Sequence, residues 1–228
     1  MQTLEQLTSP EHSAWITLSQ WIDNARNHCE VIKKDQSSAE RELFTMQMPT
    51  SSPMGAVIYE TGGILIHYGW LRILGSGSFK LPRGLMDWNF SKSFSESGEK
   101  PKYLLVADDV IGGYFALNGG SLGNNIGKIY YYSSKDLTWH NLNFTYTEFL
   151  AWALNGDVEA FYQGLFWKNW QDDVKQLDGN QVFVFTPDLN QDRKIAIDER
   201  QKQEFNIETH YQANFAEKNK FDLAYSVA

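Results

Sequence analysis

The chain has 228 residues, 42% of them hydrophobic and 21% charged, which argues against wholesale disorder and is enough for one large domain with a real core. A net charge of -8 with no basic patch argues against nucleic acid as a partner. The lone Cys29 excludes a disulfide framework and a cysteine-based zinc site, no apolar run nears the ~20 residues of a membrane helix, and no signal-peptide pattern opens the chain, so a reduced, cytoplasmic protein is expected.

A first helix is expected from Ser9 as cap and Pro10 at the first helical position, with Trp15, Leu18, Ile22 and Ala25 on one face. A second should start at Ser37, where Ser37 and Glu40 form an S-x-x-E capping box ahead of Leu43, Phe44 and Met48. SSPMGAVIYETGG predicts a short helix from about Pro53 to Thr61, ended by Gly62 and Gly63, with a strand as the competing reading. ILIHYGWLRILG reads as a strand broken at Gly69 and apolar on both faces. Residues 75–101, rich in Gly, Ser and Pro, read as a mobile loop. Strands are then expected over Tyr103–Ala107, Tyr114–Asn118, Lys128–Ser133 and Trp139–Asn143, a meander. Thr145 and Glu148 make a capping box for another helix, Asp157 caps the next, a third helical piece runs near Asn169 to Leu177, and VFVF at 182–185 is a short buried strand.

After Pro187 the chain turns polar and weakly periodic. The expected division is therefore a core domain over 1–186 and a polar C-terminal segment, 187–228, packed on or extending from it. Helices, then a meander, then helices predict an α+β fold with an antiparallel or mixed sheet flanked by N-terminal and C-terminal helices.

The stretch from Asp108 to Ser134, DDVIGGYFALNGGSLGNNIGKIYYYSS, invites a search for ligand chemistry. GNNIGKI, Gly123 to Ile129, has one residue too few between its glycines for a phosphate loop, lacks the Ser/Thr after Lys128, and leads into a strand rather than a helix. Gly75-Ser76-Gly77 lacks the third glycine of a dinucleotide fingerprint. The simpler account is turn chemistry at Gly112-Gly113 and Gly119-Gly120. Asp108 and Asp109 are adjacent on a strand, point to opposite faces, and so do not form a catalytic pair; solvation is their plain reading.

DLNQDRKIAIDE matches the calcium-loop pattern at Asp188, Asn190, Asp192 and Glu199. Arg193, however, stands where that loop needs glycine, and a strand-like segment with Pro187 precedes it, so a polar surface turn is favoured. The five histidines show no metal-ligand spacing, Cys29 beside His28 on one local segment does not make a nucleophilic pair, and there is no G-x-S-x-G elbow. No cofactor is expected.

Two stretches carry a resemblance. SPMGAVIYETGGILIHYGWLRILGSG (52–77) and the run from Leu104 to Trp167 resemble the bacterial domain-of-unknown-function family numbered 2625. The specific order is Asp108-Asp109-x-x-Gly112-Gly113-x-Phe115-Ala116-x-Asn118-Gly119-Gly120, then Tyr130-Tyr131, Leu137, Trp139 and the Tyr146-x-Glu148-Phe149-Leu150-x-Trp152 helix. The tail departs from the family pattern: TPDLNQD stands where an aromatic run follows the VFVF strand. More distantly, the D-x-x-G-G-x-F pattern is similar to the SUKH superfamily, which implies a SUKH-like fold and, for many members, immunity to polymorphic toxins. Acidity, aromatic richness (14%, with eight tryptophans) and the lack of a catalytic constellation suit a non-enzymatic protein-binding module. It would engage a basic partner such as a toxin domain, with Trp70, Asp108, Asp109 and Trp139 at the surface and Gly112, Gly113, Asn118, Gly119 and Gly120 positioning them. The alternative is an enzyme or small-ligand protein with a pocket lined by these same residues.

Overall fold

A computed structural model describes residues 1–215 except Ser9 and Ser97. The N-terminal part is helical: α1 (Leu4–Leu7), a 3-10 turn at Pro10–His12, and α2 (Trp15–Asp23). The expected Ser9 cap lies outside the described residues. An unanticipated short strand, β1 (Cys29–Ile32), precedes α3 (Gln36–Met46). The cap of α3 is Asp35, whose carboxylate accepts from the Ser38 amide at 2.9 Å. Glu40 instead accepts from Gln36 on the helix surface, so the expected Ser37–Glu40 box does not form. In α4 (Pro53–Glu60) Ser52 caps and Pro53 opens the helix, and five consecutive residues from Met54 to Ile58 are buried. Thr61 ends it, leaving Gly63 free to begin β2 (Gly63–Ile66).

The expected single strand broken at Gly69 is an antiparallel pair, β2 and β3 (Leu71–Leu74), folded back through His67–Gly69. The next segment corrects the loop reading. It contains α5 (Leu85–Asn89), and Leu81, Arg83, Leu85, Trp88 and Asn89 are all buried. Asn89 donates to the Leu105 carbonyl and accepts from the Leu105 amide, both at 2.8 Å, which fastens α5 to β4 (Tyr103–Asp109). The meander continues through β5 (Tyr114–Asn118), β6 (Ile129–Ser133) and β7 (Thr138–Phe144). All neighbours are antiparallel, so β1 to β7 form one sheet in sequential order.

The second half follows the local caps. Thr145 and Glu148 make the expected reciprocal box at α6 (Tyr146–Asn155), and Asp157 accepts from Ala160 to start α7 (Val158–Phe161). Then come α8 (Trp170–Gln176) and β8 (Gln181–Thr186). A hairpin crosses the expected boundary at 186, because β8 pairs in full register with β9 (Gln201–Asn206). A helix over 207–215 follows and buries Ile207, Tyr211 and Phe215.

Strand alternation then divides the layers. Phe115 and Tyr131 face Phe149 and Phe161 of the helical layer. Tyr114 and Tyr132 face Tyr211 and Phe215 on the other side. The result is an α+β fold in which the central strands, β2 to β6, are buried on both faces and the edge strands β1 and β7 are more exposed. Among the described residues, no helix is long and apolar enough to cross a membrane.

Candidate functional site

The sequence-marked acids are inside the molecule. Asp108 and Asp109 are both 0% exposed, and so is Trp70. This corrects the expectation that these three lie at the surface, and the physical reason is pairing. Arg72 stands opposite Asp108 in the β3–β4 register and donates from Nε at 2.5 Å, while Arg83 donates to the other oxygen at 2.6 Å. Both guanidiniums continue to backbone carbonyls, Arg72 to Gln181 and Arg83 to Gly179, each at 2.8 Å. One carboxylate therefore ties the sheet to the entry of the β8–β9 hairpin. Trp70 packs edge-on or tilted against Tyr162, Phe166, Trp167 and Trp170.

Asp109 points to the opposite face, as adjacency on a strand requires. Its Oδ1 accepts from the Ile111 and Gly113 amides at 3.0 and 2.8 Å. Its Oδ2 accepts from the Tyr131 and Tyr162 hydroxyls at 2.8 and 3.0 Å. Burial outweighs these four donors and pushes its carboxyl up to about 6. Gly113 is required here, because a Cβ would lie 2.2 Å from Asp109 Oδ2. The Asp-Asp-x-x-Gly-Gly motif is thus a self-capped turn between β4 and β5. Gly112, at φ 81°, lies under the ring of His210.

Asn118 organises the next glycine loop. Its Oδ1 accepts from Gly120 and Leu122 at 2.8 and 3.0 Å, and its amide donates to the Gly123 and Asn125 carbonyls. Gly119 passes so close to the Pro101 carbonyl that a Cβ would sit 2.2 Å from it, and Gly120 follows at φ 128°. Trp139, on β7, is half-buried against Tyr103, Tyr132 and Phe215. These marked residues therefore hold turns and layers rather than one shared surface.

The calcium-loop candidates Asp188, Asn190, Asp192 and Glu199 are not drawn together; among the described residues, no group of three or more His, Cys, Asp or Glu side chains could hold a metal ion. A guanidinium occupies the loop's interior instead. Arg200 donates to the carbonyls of Pro187, Asp188, Gln191, Asp192 and Ile195 at 2.6 to 3.2 Å. The carbonyls that could face a cation face this one.

The site that the motifs do not mark lies at the β2–β3 turn. His67, Tyr68 and Gly69 take φ values of 51°, 62° and 95° in succession. Left-handed backbone at two non-glycine residues in a row is strained and persists only where the surroundings impose it. Here the rings impose it. Tyr68 stacks on His28 with centroids 4.4 Å apart, and His67 stacks on Trp170 at 4.9 Å. His67 is 6% exposed and its Nε2 makes no hydrogen bond, with Glu159 Oε1 standing 4.0 Å away. Burial lowers its affinity for a proton, against the opposing pull of Glu159.

Two cavities flank this turn and share His28 and Tyr68 as their common wall. The larger, about 360 Å³, lies toward Arg72, Lys80 and Lys175. The smaller, about 260 Å³, lies toward Arg26, Asp157, Glu159 and His67 itself. Composition hid this site, since a lone histidine in an apolar run carries no spacing signal. The trace that was present is Tyr68-Gly69 interrupting an otherwise apolar strand pair.

Residues 4–210 match the family described as "Protein of unknown function DUF2625". The chain belongs to that family. It is 99% identical over 228 residues to an uncharacterized protein of Haemophilus influenzae, covering 100% of each chain. It is 42% identical over 189 residues to the putative uncharacterized protein YbfG of Escherichia coli (strain K12), covering 83% of this chain and 86% of that one. The family match runs past residue 187, so it includes the segment where the TPDLNQD run departs from the expected pattern. No solved structure matches the chain.

Proposed function

We propose that this chain is a small-ligand-binding protein whose ligand sits in the cleft over the His67–Tyr68–Gly69 turn. One observation carries the reading: a strained tripeptide presents an unpartnered buried imidazole nitrogen and a stacked tyrosine ring between two cavities. Backbone strain and unsatisfied buried polar atoms both concentrate at binding sites. The larger cavity, which Tyr68 and Gly69 of the turn line while the His67 ring faces the smaller one, falls within the range of about 300–1,000 Å³ typical of small-molecule pockets. Its walls differ from those first expected, since Trp70, Asp108 and Asp109 serve as internal supports.

Native mass spectrometry of the protein from its own cells tests this reading. A small adduct lost on denaturation is expected, with the released compound raising Tm by several degrees when added back. An adduct-free protein with no stabilisation across a metabolite panel would remove the reading.

A second reading, a binding module for a basic protein such as a toxin domain, draws on the acidity of the chain. Fourteen of its 28 acidic residues but only eight of its 20 basic ones lie in 145–228. The SUKH-like fold and toxin immunity belong to this second reading and are supported by the motif similarity alone. Capture of one stoichiometric basic partner, released by salt, is its test.

A further inference from the structure

The larger cavity has a floor and a rim of different chemistry. Leu65, Leu81, Val110, Val174 and Leu177 make the floor. Arg72, Lys80 and Lys175 supply cations around it, against one acidic side chain, Glu30. Glu30 and Lys80 engage each other, with Lys80 Nζ reaching both carboxylate oxygens at 2.7 Å, so Arg72 and Lys175 carry the excess positive charge of the cavity. Arg72 is only 4% exposed yet lines the cavity, and it shares its counter-ion Asp108 with Arg83. The balancing charge, Asp109, projects from the other face of β4, away from this wall. Lys175 is exposed at the mouth, with Asp172 as far as 3.9 Å away, and its Nζ lies 5.8 Å from the Tyr68 ring centroid. An apolar floor under a positive rim, with low-dielectric walls focusing the field, selects negative charge on a hydrophobic body.

We infer that the ligand of this cavity is a small amphipathic anion: an apolar or aromatic body carrying a carboxylate, sulfonate or phosphate head that meets Lys175, with the Lys80–Glu30 pair beside it, while the body lies on the floor beside Tyr68. This rests on the ligand-binding reading above and narrows it to a chemical class.

Two dyes of nearly the same shape test it by fluorescence titration of the full chain: 8-anilinonaphthalene-1-sulfonate, which is anionic, and N-phenyl-1-naphthylamine, which is neutral. The wild-type chain should bind the anion about tenfold more tightly, an advantage that fades at high salt. Lys175→Gln and Lys80→Gln should each remove several-fold of that preference and leave the neutral dye unchanged. Both lysines are at the surface, so the variants fold, and an unchanged Tm verifies it. Equal binding of the two dyes, or anion binding indifferent to both lysines, overturns the anion inference and leaves the ligand cleft standing. Binding of neither dye overturns both.

Discussion

Asp108 and Asp109 are neighbours in sequence with unlike roles, and their substitution should separate them. Asp108 carries two buried guanidiniums. Asp108→Asn leaves those cations without their counter-ion, and we expect a loss of about 3–5 kcal/mol in urea unfolding. Charge reversal at Asp108 should prevent folding. Asp109→Asn is milder: Oδ1 can still accept from Ile111 and Gly113, while the new amide donates to tyrosine hydroxyls that can rotate. We expect about 1–2 kcal/mol for it, and clearly more for Asp109→Ala, which orphans two amides and two hydroxyls. Equal costs for Asn and Ala at 109 would contradict this account of the turn.

Among the elements, the loop before β9 and the β4–β5 turn are held by single side chains. Arg200→Ala frees the carbonyls of Pro187, Asp188, Gln191, Asp192 and Ile195, and should cost about 2–3 kcal/mol. Thermal melts of the wild-type chain in calcium and in EDTA should superimpose, since a guanidinium already takes those oxygens; a calcium-dependent rise in Tm would refute that assignment. At the β4–β5 turn, Gly112→Ala combines a left-handed φ of 81° with a Cβ 2.3 Å from the His210 ring. It should cost about 2 kcal/mol or more and loosen helix 207–215, which amide exchange across 207–215 would report. The caps at Thr145 and Asp157 were legible in the sequence because capping joins residues three apart. The strands β1 and β9 were not, because both are short and largely exposed, with burial patterns that lack a clear alternation. The Gly and Ser content of 75–101 predicts a loop, yet the segment holds α5, and Leu81 and Trp88 are buried, Trp88 against the Tyr211 ring far along the chain.

For the molecule as a whole, a second buried acid sets a pH dependence. Glu42 on α3 is 1% exposed and accepts from the Met86 amide at 2.6 Å, capping α5 from another helix. Burial, with a smaller contribution from Asp87, pushes its carboxyl from the ordinary 4.5 up to about 7. A folded state that holds the proton more tightly than the unfolded chain is favoured below pH 4.5 and loses that advantage as pH rises through 7. Glu42→Gln, which keeps the carbonyl acceptor and cannot ionise, should remove this loss. Its stability relative to the wild type should therefore climb between pH 4.5 and 7 by an amount on the order of 2–3 kcal/mol, then level off. A flat difference across that range would show that Glu42 titrates as an ordinary surface acid.

What the sequence determined by itself was the local and the periodic: the helix starts at Pro53, Tyr146 and Val158, the meander order from Tyr103 to Phe144 and the α+β class. Each depends on residues within a few positions of one another, where spacing alone sets which face a side chain takes. Tertiary structure decided which charged groups go inside and where the cleft lies. Asp108 is buried because Arg72 and Arg83, 36 and 25 residues away, meet it there. His67 and Tyr68 are held in left-handed backbone because His28 and Trp170 stack on them from distant segments. Desolvation and strain are offset only by partners brought in from elsewhere in the chain, and no spacing within a linear stretch records them.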